Sequence, residues 1–191
     1  PWLPYHEFVT EPMARIDGAQ PIETVVMNSL TVNLHLLMVS FYRPTSERYK
    51  VIIEKGAFPS DKYAVESQIA WHRSEPTASA GGQFDGPSVA HGARELPPAD
   101  AGGSDLIQLT PRAGESNLRT EDILETIDRE GDSVALILLG GVNYYTGQAF
   151  DIRAIAEAGH RKGCTVGFDC AHAAGNLELK LHDWNVDFAA W

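Results

Sequence analysis

The run TVGFDCAHAAGN, Thr165 to Asn176, carries an apolar segment straight into a carboxylate, Asp169, with an imidazole, His172, just beyond it. An acid at the end of a buried strand costs stability unless it takes up a proton or meets a cation. The run therefore calls for something positive past Asp169, and a protonated ring nitrogen has the right charge. Three other segments carry groups that could work beside it. MNSLTVNLHLL places Ser29, Leu30 and Thr31 at a helix start, where unpaired N–H groups and a partial positive charge suit a phosphate, although a plain cap has the same sequence. FPSDKYAVESQ offers Phe58 to stack on a flat ring or to plug the core, and Asp61 to face a site or to complement a helix dipole. GGVNYYTGQ follows an apolar run with Gly140 and Gly141, which permit close backbone approach, and with the hydroxyls of Tyr144, Tyr145 and Thr146; a simple turn is the alternative.

The elements that must position these groups alternate in type. Short apolar runs at Thr24 to Met27, Lys50 to Ile53, Leu106 to Leu109, Val134 to Leu139, Cys164 to Phe168 and Val186 to Ala190 read as strands. Between them, helices are predicted at Leu30 to Tyr42, from a Ser60 cap to about His72, at Glu121 to Arg129, and at Ile152 to Lys162 behind an Asp151 cap. Such alternation predicts a layered α/β domain with a largely parallel sheet. Ser74 to Ser104 breaks the pattern, being rich in Gly, Ala, Pro and Ser without periodicity, and reads as a loop or disordered insertion.

Composition sets limits on function. With 191 residues and 43% hydrophobic content the chain can bury a core. A formal net charge of -11 and the lack of clustered Lys and Arg argue against nucleic acid. The longest apolar runs fall short of the roughly 20 residues of a membrane-spanning helix. Cys164 and Cys170 make neither a metal spacing nor a disulfide framework, which fits a reducing, cytoplasmic setting. A metal hydrolase built on Asp169, His172 and His182 has too few convergent ligands. The chain begins at Pro1 and ends at Trp191 inside an apolar run, so an internal piece of a longer protein is expected.

PWLPYHEFVTEPMAR, VVMNSLTVNLHLLMVSFYRPT, AFPSDKYAVESQ, GGVNYYTGQ, GFDCAHAAGN and LHDWNVDFAAW occur here in one order. The set resembles the kynureninase family, a class-V-aminotransferase-like group dependent on pyridoxal 5'-phosphate (PLP). The resemblance implies a three-layer αβα large domain of PLP fold type I, incomplete here, and hydrolysis of kynurenine to anthranilate and L-alanine in tryptophan catabolism and NAD biosynthesis. By resemblance, Leu30 and Thr31 contact the phosphate, Phe58, Pro59, Ser60 and Asp61 line the cofactor, Asp169 pairs with the pyridine nitrogen, and His172 lies beside it. The Schiff-base lysine is expected just after Trp191, so the 191-residue piece alone is expected to be inactive. A homodimer acting on a small molecule, with neither nucleic acid nor membrane as partner, is also implied. Gly140 stands where many members carry a hydroxyl residue. A cysteine-desulfurase-like enzyme and a non-catalytic relative on the same scaffold are the rival readings.

Overall fold

The computed structural model describes residues 3–73 and 105–191; the predicted insertion at 74–104 lies outside them. Strands β1 (Lys50–Glu54), β2 (Leu106–Leu109), β3 (Val134–Gly140), β4 (Thr165–Asp169) and β5 (Phe188–Ala190) form a five-stranded sheet in the order β2-β1-β3-β4-β5. Every pair in it is parallel. A parallel sheet needs crossover connections, and helices covering both its faces are the usual result. Here they are α2 (Leu30–Phe41), α3 (Pro59–Arg73), α4 (Thr120–Glu130) and α5 (Ile152–Arg161).

Strand residues alternate between two cores, as the period of 2 requires. Val51, Ile53, Leu136 and Leu138 pack with Leu34 and Met38 of α2, with Tyr42 just past its end, and with Ala64 and Val65 of α3. Ile52, Ile137, Leu139, Val166 and Phe168 pack with Ile123 and Ile127 of α4 and Ile152 and Ile155 of α5. The result is the three-layer αβα arrangement expected from the alternation of elements. Asp151 caps α5 as predicted, its carboxylate accepting from the Ala154 N–H at 3.0 Å.

Helix direction decides what meets at the carboxyl ends of the strands. The last turn of α2 sets Phe41 against Phe188 at the start of β5, with ring centroids 4.9 Å apart, and the Tyr42 hydroxyl donates to the Tyr49 carbonyl, just ahead of β1, at 2.7 Å. The first turn of α2 therefore looks toward the opposite, carboxyl edge. α3 follows β1 and so starts at that edge. It ends at the amino edge, where Arg73 makes a two-pronged ion pair with the buried Asp105 ahead of β2.

Two expectations are corrected. Thr24 to Met27 forms no strand: it is an extended segment after a short turn at Pro21–Glu23, with Val25, Val26 and Met27 exposed and without ladder bonds to the sheet. Ser60 is not a cap, because α3 begins at Pro59, whose missing N–H and preset φ suit a first helical position. Phe188 is buried under Phe41 and against Gly167. A further helix, α1 (Glu7–Asp17), is not expected from the sequence, because Pro12 in its interior reads as a helix breaker.

α1 is tied to the chain ahead of β5. The carbonyls of Asp17 and Gly18 accept from the N–H groups of Leu181 and His182, each at 3.1 Å. Gly18 closes the helix at φ 61°, and a Cβ there would stand 2.1 Å from the Leu179 carbonyl oxygen. Both the left-handed backbone and the contact with main chain exclude a side chain. Gly18→Ala is therefore expected to cost about 1–3 kcal/mol, read as a lowered urea midpoint at unchanged m-value; a midpoint equal to wild type would contradict this account of the α1 anchor.

Candidate active site

Three acids converge at the carboxyl edge. Asp169 ends β4, Asp61 lies in the first turn of α3, and Glu54 ends β1; they are only 7%, 6% and 5% exposed. Among the described residues no ion pair reaches any of them. Sheet pairing accounts for the meeting, because β3 lies between β1 and β4 and joins Gly140 to Asp169 in register.

The electrostatics are those of acids packed too closely to be ionised together. Burial first, then a hydrogen bond and the charge of Asp169, push Asp61 up to about 8, while the Ser60 hydroxyl, donating to Asp61 Oδ1 at 3.2 Å, opposes the rise. The protonated Asp61 carboxyl thus donates to the Asp169 carboxylate. Asp169 Oδ1 also accepts from the Ala171 N–H at 2.8 Å, which fixes its orientation. Burial raises Glu54 as well, and Asp169 adds to that, against hydrogen bonds from Asn143 and the Gly140 N–H. The arrangement is complementary to one positive charge placed beside Asp169.

An aromatic pair stands next to the acids. Phe58 is 42% exposed, so it is no core plug, and its ring meets that of Tyr144 edge-on at 5.2 Å between centroids. Pro59 and Ser60 follow it into α3. The Tyr144 turn is closed by Asn143, whose Oδ1 accepts from the N–H groups of Tyr145 and Thr146. Leu30 and Thr31 begin α2, and Ser29 makes no side-chain cap to the helix, so the first-turn amides are not taken up by that hydroxyl. Asn28 turns the chain into the helix at φ 49°. His172 lies in the exposed turn beyond β4, and its carbonyl accepts from Asn176 Nδ2.

Of the sequence-predicted residues, the structure brings Phe58, Ser60, Asp61 and Asp169 together. Among the described residues no hydrogen bond joins Leu30, Thr31 or the His172 ring to the acids. His182 belongs elsewhere, bonded to Glu23 at 2.8 Å and to Gln20 at 3.0 Å, so the ligand set of a metal hydrolase is not assembled. Glu54 and Asn143 were missed. The signal for Glu54 was present, since KVIIE is, like TVGFD, an apolar run ending in an acid.

Buried acids at the carboxyl edge of a parallel αβα sheet stand where such sheets bind ligands, and the fold is that of the large domain of fold-type-I PLP enzymes. The chain belongs to the aminotransferase class-V family, whose model matches residues 71–191. It is 59% identical over 191 residues to a kynureninase of Koribacter versatilis and 56% identical to one of Myxococcus xanthus. Each alignment spans the whole of this chain and 39% of the relative, so the chain spans well under half the length of these relatives. Among solved structures, a C-DES mutant with glycine covalently linked to its PLP cofactor superposes at a TM-score of 0.65 with 14% sequence identity, covering 97% of this chain and 40% of that one. That likeness concerns the fold. The cofactor of the family is PLP, and the buried acids, without a cationic partner among the described residues, fit the protonated nitrogen of its ring.

Proposed function

We propose that the full-length protein is a kynureninase, which cleaves L-kynurenine with water to anthranilate and L-alanine. The observation that carries the reading is the buried pair of Asp61 and Asp169, with no cationic partner among the described residues, in a chain 59% identical to a kynureninase. PLP supplies an electron sink for the substrate carbons. Asp169 keeps the ring nitrogen protonated, an interaction that strengthens as negative charge develops and so favours the transition state over the ground state. Asp61 holds its own proton on the Asp169 carboxylate until that cation arrives. Phe58 covers one face of the ring, with Pro59 and Ser60 lining the same wall, and His172 flanks the site from the turn beyond β4. The N–H groups of Leu30 and Thr31, with the Thr31 hydroxyl, take the phosphate at the start of α2, where the helix dipole favours an anion.

The domain is read as the PLP-binding large domain interrupted by the insertion at 74–104, working in a cytoplasmic homodimer. Among the described residues no helix is long and apolar enough to cross a membrane. The test is incubation of the full-length protein with L-kynurenine. Anthranilate fluorescence that requires added PLP is expected. Formation of alanine from cysteine, with sulfide released on addition of a thiol reductant and without any anthranilate, would replace this reading by a desulfurase, and PLP-independent cleavage would remove the cofactor from it.

A further inference from the structure

β1 ends on Glu54, an acid that the roles given to Asp61 and Asp169 leave unused. Its carboxylate receives donors from two different elements. Oε2 accepts from Asn143 Nδ2 at 3.0 Å, and the Gly140 N–H at the end of β3 donates to the same carboxylate. Oε1 is the oxygen turned toward Gly140, since a Cβ on that residue would stand 3.1 Å from it. The Asn143 amide has no freedom to turn over and accept instead. Its Oδ1 is already occupied by the N–H groups of Tyr145 at 3.0 Å and Thr146 at 2.8 Å, and by the Thr146 hydroxyl at 3.2 Å. Nδ2 must therefore donate, and the acceptor it meets is the buried Glu54 carboxylate. The line of contact runs from Glu54 through Asn143 to the turn that carries Tyr144, and from Tyr144 to the Phe58 ring.

We infer that Glu54 is a positioning residue of the PLP site: it fastens the 143–146 turn to the carboxyl edge of the sheet and so holds Tyr144 against Phe58 as one wall beside the acid pair. The inference rests on the PLP reading for the purpose of that wall, while the fastening itself is a property of the cofactor-free protein. A carboxylate is required because it presents an acceptor to each of two converging donors. Glutamine presents one acceptor and turns an N–H toward the other donor, so it restores only part of the arrangement. Gly140 fits the same picture, for a side chain there would press on Oε1 and on the Val142 carbonyl oxygen, 3.2 Å away.

The test uses the full-length protein with Glu54→Ala, Glu54→Gln, Asn143→Ala and the double variant Glu54→Ala/Asn143→Ala. In the PLP-free protein, amide exchange at Tyr145 and Thr146 is expected to quicken about tenfold in Glu54→Ala and less in Glu54→Gln, with α5 amides unmoved. PLP affinity, measured by equilibrium dialysis, is expected to weaken about tenfold in Glu54→Ala and no further in the double variant, as it must if Glu54 acts through Asn143. Unchanged exchange at Tyr145 and Thr146 in both Glu54 variants would overturn the inference, as would losses of PLP affinity that add in the double variant. Should Glu54→Ala not fold, Glu54→Gln and Asn143→Ala carry the same comparisons. A wild-type protein that binds no PLP would defeat the cofactor reading, while the exchange measurement still decides whether Glu54 anchors the turn.

Discussion

Asp169→Asn in the full-length protein is expected to lower kcat for kynurenine by about 10²–10³-fold, or roughly 2.7–4 kcal/mol of transition-state stabilisation. The fold should stay intact. Asn retains an oxygen that can accept from the Ala171 N–H, now 2.8 Å from Asp169 Oδ1, so the end of β4 keeps its local bond. What is lost is the negative charge proposed to keep a ring nitrogen protonated. Stability without cofactor should move the other way, because the hydrogen bond and charge with which Asp169 raises Asp61 disappear, and with them the like-charge conflict. The combination of a large fall in kcat with an equal or higher Tm for the PLP-free protein at pH 8 distinguishes a group poised for chemistry from one that holds the fold. Activity within about threefold of wild type would remove Asp169 from the role assigned to it.

The second large effect is in pH. Asp61 titrates at about 8 in the folded chain against an ordinary 3.8, so between those values the folded state holds a proton that the unfolded chain has released. Folding is then linked to proton uptake, and stability falls as pH rises. The contribution is complete below about 4 and lost as pH passes through about 8. Asp17 adds to the same slope over a shorter range. Its carboxyl is fully buried with neither oxygen hydrogen-bonded among the described residues, and burial pushes it up to about 6. His72 opposes the slope below its ordinary 6.5, since burial and then Arg43 lower its pKa and favour the neutral ring. The PLP-free chain is therefore expected to melt higher at pH 5.5 than at pH 8, by about 5 °C. Asp61→Asn should remove most of that difference, and Asp17→Asn should flatten only the part below about 6. A wild-type Tm that climbs from pH 5.5 to pH 8 would show that Asp61 does not carry its proton in the folded protein.

Much of this architecture is visible in local sequence. Leu106–Leu109 forms over the predicted residues, and β1, β3, β4 and β5 all fall on the runs read as strands. A buried parallel strand is apolar on both faces, which leaves a short dense run that periodicity can find. Thr24 to Met27 has the same appearance, yet among the described residues it finds no neighbour to pair with, and a strand is defined by pairing rather than by its own residues. α1 fails to register for the converse reason: Pro12 lowers the intrinsic helix signal, while contacts with the 179–182 segment, far along the chain, hold the helix in place. Ser60 reads as a cap because its chemistry suits one, but Pro59 ahead of it takes the first helical position and leaves the Ser60 hydroxyl to Asp61.

The site divides along the same line. An apolar run ending in Asp169 announces a buried acid, and the order of motifs identifies the kind of enzyme in which such an acid faces a ring nitrogen. These are properties of neighbouring residues and survive in one dimension. Which acids meet is decided by strand order, since β1 is second in the sheet and β4 fourth, with β3 between them. Only that placement turns Glu54 toward Asn143, 89 positions away, and sets Asp61 against Asp169. Burial and proximity then act together: charge interactions fall with distance and grow as water is excluded. The raised proton affinity of Asp61, the demand for a cation beside Asp169, and the anchoring of the Tyr144 turn by Glu54 accordingly exist only once the sheet has assembled.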